Sequence, residues 1–362
     1  MSTTLPFYDG ICYVLRSSSK EESTVKNIFS GISSGPKGTG SACPSDNVSN
    51  TELIKRYNLT SIDSRVSDEW IKGKCGVESR RFPLPGEYLS DFAIQASKDA
   101  IMDAQISAEE IDAVIMATIS GDYITPATAA LIQNGVGAVN AGAFDIAAGC
   151  AGFVTALILA KAMVESGMYK NILVVGGDWL TEVTNFRERS CFLFGCGVGA
   201  AIISQVDDDL GFIASAWGSD GSGADKLYIP AGGSRLPVTA ELIAENKHKM
   251  LMSGLEVYRF AVEKQQSMMK EMLLRTGWDM PDYVIPHQAN LRIIEAGAKY
   301  SNIPIERWYT DGIRYFGNTS SGSVAMALHD ARKNHLIKSG SKVVFSGFGA
   351  GLSWAWLAMI AP

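Results

Sequence analysis

"AGAFDIAAGCAGFVTALILAKAMVESGMYKNILVVGG", residues 141–177, changes its hydrophobic period twice within one short span. "AGAFDIAA" has strand character, "CAGFVTALILAKAMVESG" carries an apolar helical face that ends at Gly167, and "NILVVGG" is a β-branched run of strand length. Strand, helix and strand in this order are the unit of a layered α/β protein whose helices cover a largely buried sheet. The pattern extends in both directions. Upstream, from "NTELIKRY" onward, "YLSDFAIQASKDAIMDA" has helical spacing, "IDAVIMAT" reads as a buried strand and "TPATAALIQNGVG" as a helix begun by proline. Downstream, "GLEVYRFAVEKQQSMMKEMLLRTG" is a long helix and "PDYVIPHQ" a strand running into a loop. "NLRIIEAGAKYS" and "SSGSVAMALHDARKNH" are further helices, and "KVVFSGFGAG" is a strand with a glycine-rich exit. Two halves of similar order are expected to stack as a pseudo-duplicate.

The chain has 362 residues, 46% of them hydrophobic, which is ample for a large core in two units or one double unit. We divide it into an N-terminal extension of unknown role (1–37), a first half (38–210) and a second half (211–362). The extension holds a short apolar segment, "ICYVL", and ends in "SGISSGPKGTG", whose Gly, Ser and Pro content reads as a loop. Lys and Arg number 32 against 38 Asp and Glu, so no global basic field favours nucleic acid or an anionic membrane. Cysteines at 12, 43, 75, 150, 191 and 196 form no CxxC pair in a chain far too long to need stapling, and we expect them to be reduced. Neither a long apolar span nor a basic, apolar leader is present, which makes the cytoplasm the expected location.

Three loops stand out chemically. Cys150 lies among small residues where a strand gives way to a helix, and the helix N-terminus is expected to favour its thiolate, the reactive form. A cysteine that only fills space is the alternative reading. His287 in "VIPHQANLRI" falls at a strand end, where α/β proteins open their ligand crevices; a hydrogen-bonded structural histidine is the alternative. Asn318 in "RYFGNTSSGSVAMAL" occupies a glycine-flanked turn opening a small-residue helix, a position that also suits a purely conformational role.

Taken together, "DIAAGCAGF", "PHQANLRI", "FGNTSSGSV" and the closing "GFGAGLSW" resemble the signatures of the β-ketoacyl-acyl-carrier-protein synthase III family of condensing enzymes. The resemblance spans roughly residues 38–362. It implies a thiolase fold, five alternating αβαβα layers built from two similar halves, normally as a homodimer. It implies that Cys150 takes an acyl group from coenzyme A or an acyl carrier protein. His287 and Asn318 would then bind the carbonyl of a malonyl- or β-ketoacyl-type thioester whose decarboxylation yields an enolate. The backbone N–H groups of Cys150 and Ala350 would form the oxyanion hole of the ensuing attack. Trp70, Lys74, Arg292 and Gly254 fall at substrate-binding positions. The family carries no tightly bound cofactor and no metal.

Four positions depart from the family pattern, one of them Cys75, where the family often has threonine. Lys74 stands where coenzyme A users commonly have arginine; it keeps the charge and loses the planar fork, which favours carrier-protein delivery. Thr125 replaces a bulky residue that closes the acyl pocket across the dimer interface, so the primer is expected to exceed acetyl. Cys196 replaces a common aspartate, with no consequence legible in the sequence. Two other functions remain open at this point. One is an acyltransferase that passes the Cys150 acyl group to an alcohol or amine. The other is a non-catalytic partner subunit of a synthase complex, which the presence of the nucleophile disfavours.

Overall fold

The computed structural model describes residues 31–362. Cys12 and the segment "ICYVL" lie outside the described residues. The first half runs β1 (Ser33–Ala42), β2 (Asp46–Ser49), α1 (Asn50–Tyr57), α2 (Asp68–Cys75), β3 (Ser79–Phe82) and α3 (Leu89–Ala104). It continues with β4 (Ala113–Ala117), α4 (Thr128–Val136), β5 (Gly142–Ile146), α5 (Gly152–Glu165), β6 (Asn171–Asp178), α6 (Leu180–Val183) and β7 (Gly197–Val206). The second half opens with β8 (Gly211–Ser219), β9 (Leu227–Tyr228), α7 (Ala240–Ala244), β10 (Leu251–Met252) and α8 (Gly254–Thr276). Then follow β11 (Tyr283–Pro286), α9 (Leu291–Ser301), α10 (Asp311–Phe316), α11 (Gly322–Lys333), β12 (Lys342–Gly349) and β13 (Ser353–Ile360).

Two mixed sheets result, ordered β1-β7-β6-β4-β5 and β11-β12-β13-β8. The central strands carry apolar residues on both faces, as in β4 (AVIMA), because their side chains alternate between two buried faces. In the first sheet Ile115, Ile172, Val174 and Ala201 point inward to a core shared with α5, α11 and the second sheet. Their neighbours Val114, Met116, Leu173 and Val175 point outward against α3 and α4. The second sheet repeats this: Val343, Phe345 and Leu357 face the shared core, and Val344, Trp356 and Ala358 face α8 and α9. These faces make five layers, helices, sheet, helices, sheet, helices, as in a thiolase fold.

The stretch "SSGPKGTGSA", read above in part as loop, is strand β1, paired antiparallel with β7 from Ser33 opposite Val206 to Ala42 opposite Val198. Its composition has a packing cause. A Cβ on Gly40 would meet Ala100 N at 2.8 Å as well as the Ala96 carbonyl, so glycine is what lets α3 lie directly on the strand. The register shifts between Pro36 and Gly38, a bulge that an edge strand accommodates. Strands β7, β8 and β13 had no counterpart among the readings made from sequence.

The central layer positions the chemistry. α5 and α11 lie side by side between the sheets, Cys150 precedes the one and Asn318 the other, while His287 follows β11 and Ala350 follows β12.

Candidate active site

A cavity of about 440 Å³ opens where these four segments converge, and Cys150, His287, Asn318, Ala350 and Gly254 all line it. Cys150 sits in a 3-10 turn, Gly149–Ala151, immediately before α5. The turn exists because the chain can reverse tightly there: Gly149 has φ +54, in the left-handed region. Close approach of the β12 exit fixes its other side. A Cβ on Gly349 would come within 2.6 Å of the Cys150 amide nitrogen, and one on Gly149 within 3.0 Å of the Ala350 nitrogen. The backbone amides of Cys150 and Ala350 are thereby held next to each other at the cavity. Asp145, at the start of the signature, serves α4 instead, accepting from the Thr128 and Ala129 amides at 2.7 and 2.8 Å and so capping its N-terminus.

The expected thiolate is corrected by the structure. Burial pushes the Cys150 thiol up to about 12, outweighing the helix N-terminus, and the hydrogen bond to Ser320 offsets only part of that. The resting group is a thiol, and it donates to Ser320 Oγ at 3.5 Å.

His287 is buried, and burial lowers its imidazole to about 3, so the ring is neutral. Its Nδ1 lies 2.7 Å from Ser323 Oγ, which also accepts from the Gln288 amide at 3.2 Å. The Ser323 hydroxyl can donate to Nδ1, and in that arrangement the neutral ring carries its proton on Nε2. Phe348 holds the ring edge-on at 5.4 Å between centroids. Asn318 is oriented just as firmly: its Oδ1 accepts from the Ser320 amide at 2.8 Å. A backbone N–H can only donate, so this bond fixes the amide's orientation and leaves Nδ2 as the donor end. Its main chain is pinned as well, the Asn318 amide donating to the Leu193 carbonyl at 2.7 Å.

Trp70, Lys74, Arg292, Thr125 and Cys196 do not line the cavity. Trp70, on α2, packs edge-on against Phe192 at 5.4 Å and carries the Lys74 ammonium 5.6 Å above its ring. Arg292, at the start of α9, donates to the Gly73 carbonyl, and Asn290 Nδ2 donates to the Lys74 carbonyl at 3.4 Å. These contacts join α2 to α9 beside Asn290, which does line the cavity. Thr125 is exposed, next to Ile124, which is 99% exposed. Cys196 is buried, its sulfur 3.6 Å from the Thr181 hydroxyl. No group of His, Cys, Asp and Glu among the described residues could hold a metal. Ser320 and Ser323 went unnoticed in sequence; their one visible signal was their closeness to Asn318 in "GNTSSGS".

Family models match two parts of the chain: 3-Oxoacyl-[acyl-carrier-protein (ACP)] synthase III over residues 144–221, and the C-terminal region of the same synthase over residues 275–360. A beta-ketoacyl-[acyl-carrier-protein] synthase III of Caldanaerobacter subterraneus subsp. tengcongensis is 42% identical, covering 90% of this chain and 96% of that protein. One from Clostridioides difficile is 40% identical over 88% and 95%. Among solved structures, the 3-oxoacyl-[acyl-carrier-protein] synthase III of Aquifex aeolicus VF5 superposes with a TM-score of 0.82 at 34% identity, over 90% of this chain and 99% of that one. The priming β-ketosynthase of the R1128 polyketide pathway does so at 0.83 and 32%, over 93% and 99%.

Proposed function

The chain belongs to the 3-oxoacyl-[acyl-carrier-protein] synthase III family, and from that premise we propose how its own residues divide the reaction. It is an acyltransferase-class enzyme that condenses acyl thioesters with loss of carbon dioxide, in fatty acid or polyketide biosynthesis. Cys150 attacks the primer thioester and carries the acyl group. A malonyl-type thioester then binds with its carbonyl oxygen between His287 Nε2–H and Asn318 Nδ2–H. Decarboxylation places negative charge on that oxygen, and two fixed neutral donors stabilise it without solvent reorganisation. The resulting carbanion attacks the acyl-cysteine, whose oxyanion is received by the amides of Cys150 and Ala350. Collapse expels the Cys150 sulfur and releases a β-ketoacyl thioester.

The observation that carries this reading is that the Ser320 amide leaves Asn318 Nδ2 as a donor end, beside a neutral His287 whose Nδ1 is engaged by Ser323, in the cavity that holds the thiol. Transfer to an alcohol or amine makes no enolate and needs no such pair. The test separates half-reactions. Asn318→Ala should still load an acyl group on Cys150 while decarboxylating malonyl thioester about 100- to 1000-fold more slowly, as for loss of one oxyanion donor. Equal loss of both steps would overturn the assignment.

Lys74 at the α2–α9 contact, a point charge without Arg's planar fork, supports carrier-protein delivery through a mouth shared with Trp70, Arg292 and Gly254. Leu180, Leu193, Phe194, Leu227, Met250 and Met252 give the cavity an apolar wall suited to an acyl chain. We assign a homodimer with no tightly bound cofactor, joined along edge strand β5, where Phe144 is 40% and the nearby Tyr123 62% exposed. Thr125 would then face the partner's acyl channel. The halves 38–210 and 211–362 are read as the duplicated units, each built around one of the two large sheets, with β1 (Ser33–Ala42) reaching back across the first boundary. A cytoplasmic location fits the five described cysteines, all free, and no described helix is long and apolar enough to cross a membrane.

A further inference from the structure

Between β12 and β13 the chain turns through Ala350, Gly351 and Leu352, with Gly349 and Ser353 as the closing pair of the hairpin. On its outer side the turn is tied to Asp220: the Leu352 amide donates to the Asp220 carbonyl at 2.9 Å, and the Asp220 amide donates to the Leu352 carbonyl at 2.7 Å. On its inner side a single hydroxyl meets it. Ser353 is buried, and its hydroxyl donates to the Ala350 carbonyl at 2.8 Å and to the Ala148 carbonyl at 3.1 Å. These carbonyls come from different halves of the protein. Ala148 leads into the turn that carries Cys150, and Ala350 follows β12. A carbonyl oxygen can only accept, so both depend on the one Ser353 proton, shared in a three-centre bond. Gly351, at φ +135, keeps the space open, since a Cβ there would stand 3.1 Å from the Ser353 nitrogen. Gly149, Cys150, Gly349, Ala350 and Gly351 line the cavity, whereas Ala148 and Ser353 do not. The hydroxyl therefore stands behind the cavity wall, out of reach of substrate.

Resting on the assignment of the Cys150 and Ala350 amides as the oxyanion hole, we propose that Ser353 is a positioning residue that sets the spacing and aim of those two amides. Each carbonyl it holds is one peptide away from a donor. The Ala148 carbonyl belongs to the peptide just before the one that carries the Cys150 N–H, and the Ala350 carbonyl to the peptide just after the one that carries the Ala350 N–H. Consecutive peptide planes are separated by only two soft dihedrals, so fixing one plane on each segment restricts the rotation left to its neighbour. The close approach of Gly149 and Gly349 to the opposite segment brings the two amides together but has no direction of its own; the hydrogen bond supplies it. The bridge also has an electrostatic effect. Each carbonyl oxygen is the negative end of its peptide dipole, and holding both on a donor outside the cavity keeps them from the place where negative charge develops. That charge develops twice in a cycle, when Cys150 attacks the primer thioester and when the carbanion attacks the acyl-cysteine. Ser353 serves both steps, while the enolate between His287 and Asn318 does not use it.

The test reads the acyl carbonyl itself. Cys150 is loaded with an acyl group labelled with carbon-13 at its carbonyl, and the carbonyl stretch is recorded by isotope-edited infrared spectroscopy in native protein and in urea. The wild type, Ser353→Ala and Ser353→Thr are compared. Donors in an oxyanion hole polarise the carbonyl, so the wild-type band should lie at lower frequency in the native than in the unfolded protein. Ser353→Ala should lose part of that shift. Its maximal loading rate should fall about tenfold or more, as for a small misplacement of groups that act in the transition state, with the half-saturating primer concentration little changed. Ser353→Thr, which keeps the hydroxyl, should recover both. If Ser353→Ala does not fold, Ser353→Cys, of the same shape with a weaker donor, gives the same comparison once peptide mapping shows that Cys150 alone is loaded. A band at the wild-type frequency in Ser353→Ala, whether or not loading slows, or a failure of Ser353→Thr to recover it, would overturn the proposal. A wild-type band that is the same in native and unfolded protein would overturn the assignment of the oxyanion hole instead.

Discussion

His287 lies in surroundings that keep it uncharged, and this has a cost in acid. The unfolded chain protonates the ring near its ordinary 6.5, whereas the folded one resists to about 3, so between these values the unfolded state binds more protons. Stability from this residue is therefore present above about pH 6.5 and lost as pH falls toward 3. His287→Gln should show a shallower decline of urea midpoint across that window; an identical slope would place the ring in contact with water. Cys150 presents the opposite sign. Its folded value of about 12 exceeds the ordinary 9.0, so its contribution is present below pH 9 and fades above it. Cys150→Ser should be loaded far more slowly than the wild type, since an alcohol ionises much less readily than even a raised thiol. Intact-mass time courses check this, and loading at a comparable rate would mean that another group is the nucleophile.

Single elements show what sequence carries and what it hides. The βαβ span at 141–177 was legible because each of its segments has the period of its own secondary structure. Strand β1 was not, because its glycines answer to the close approach of α3, a tertiary demand with no local period. Gly40→Val should therefore destabilise the protein by about 1–3 kcal/mol or more through overpacking, read as a lowered urea midpoint. An unchanged midpoint would show that α3 yields. The site divides in the same way: Cys150, His287 and Asn318 stood out because each sits in its own motif at an element boundary. Ser320 and Ser323 were read only as part of a small-residue helix opening; the fold alone brings them to the thiol and the imidazole.

At the scale of the whole molecule, the proposed dimer would cover Phe144 of edge strand β5 and Ile124, both exposed in the single chain. Phe144→Glu should shift the sedimentation of the protein from dimer toward monomer. Thr125→Phe should leave acetyl loading nearly intact and penalise long primers progressively, by about 0.8 kcal/mol for each methylene refused burial. A uniform change across chain lengths would remove Thr125 from the acyl channel. The central claim is that the acyl group on Cys150 is joined to a decarboxylated extender, and a single turnover tests it most directly. Enzyme loaded to one acyl group on Cys150, freed of excess donor and mixed with malonyl thioester, should release one carbon dioxide and one β-ketoacyl thioester per acyl group lost from the protein. Loss of the acyl group as free acid or as an ester or amide, with no carbon dioxide released, would contradict the account.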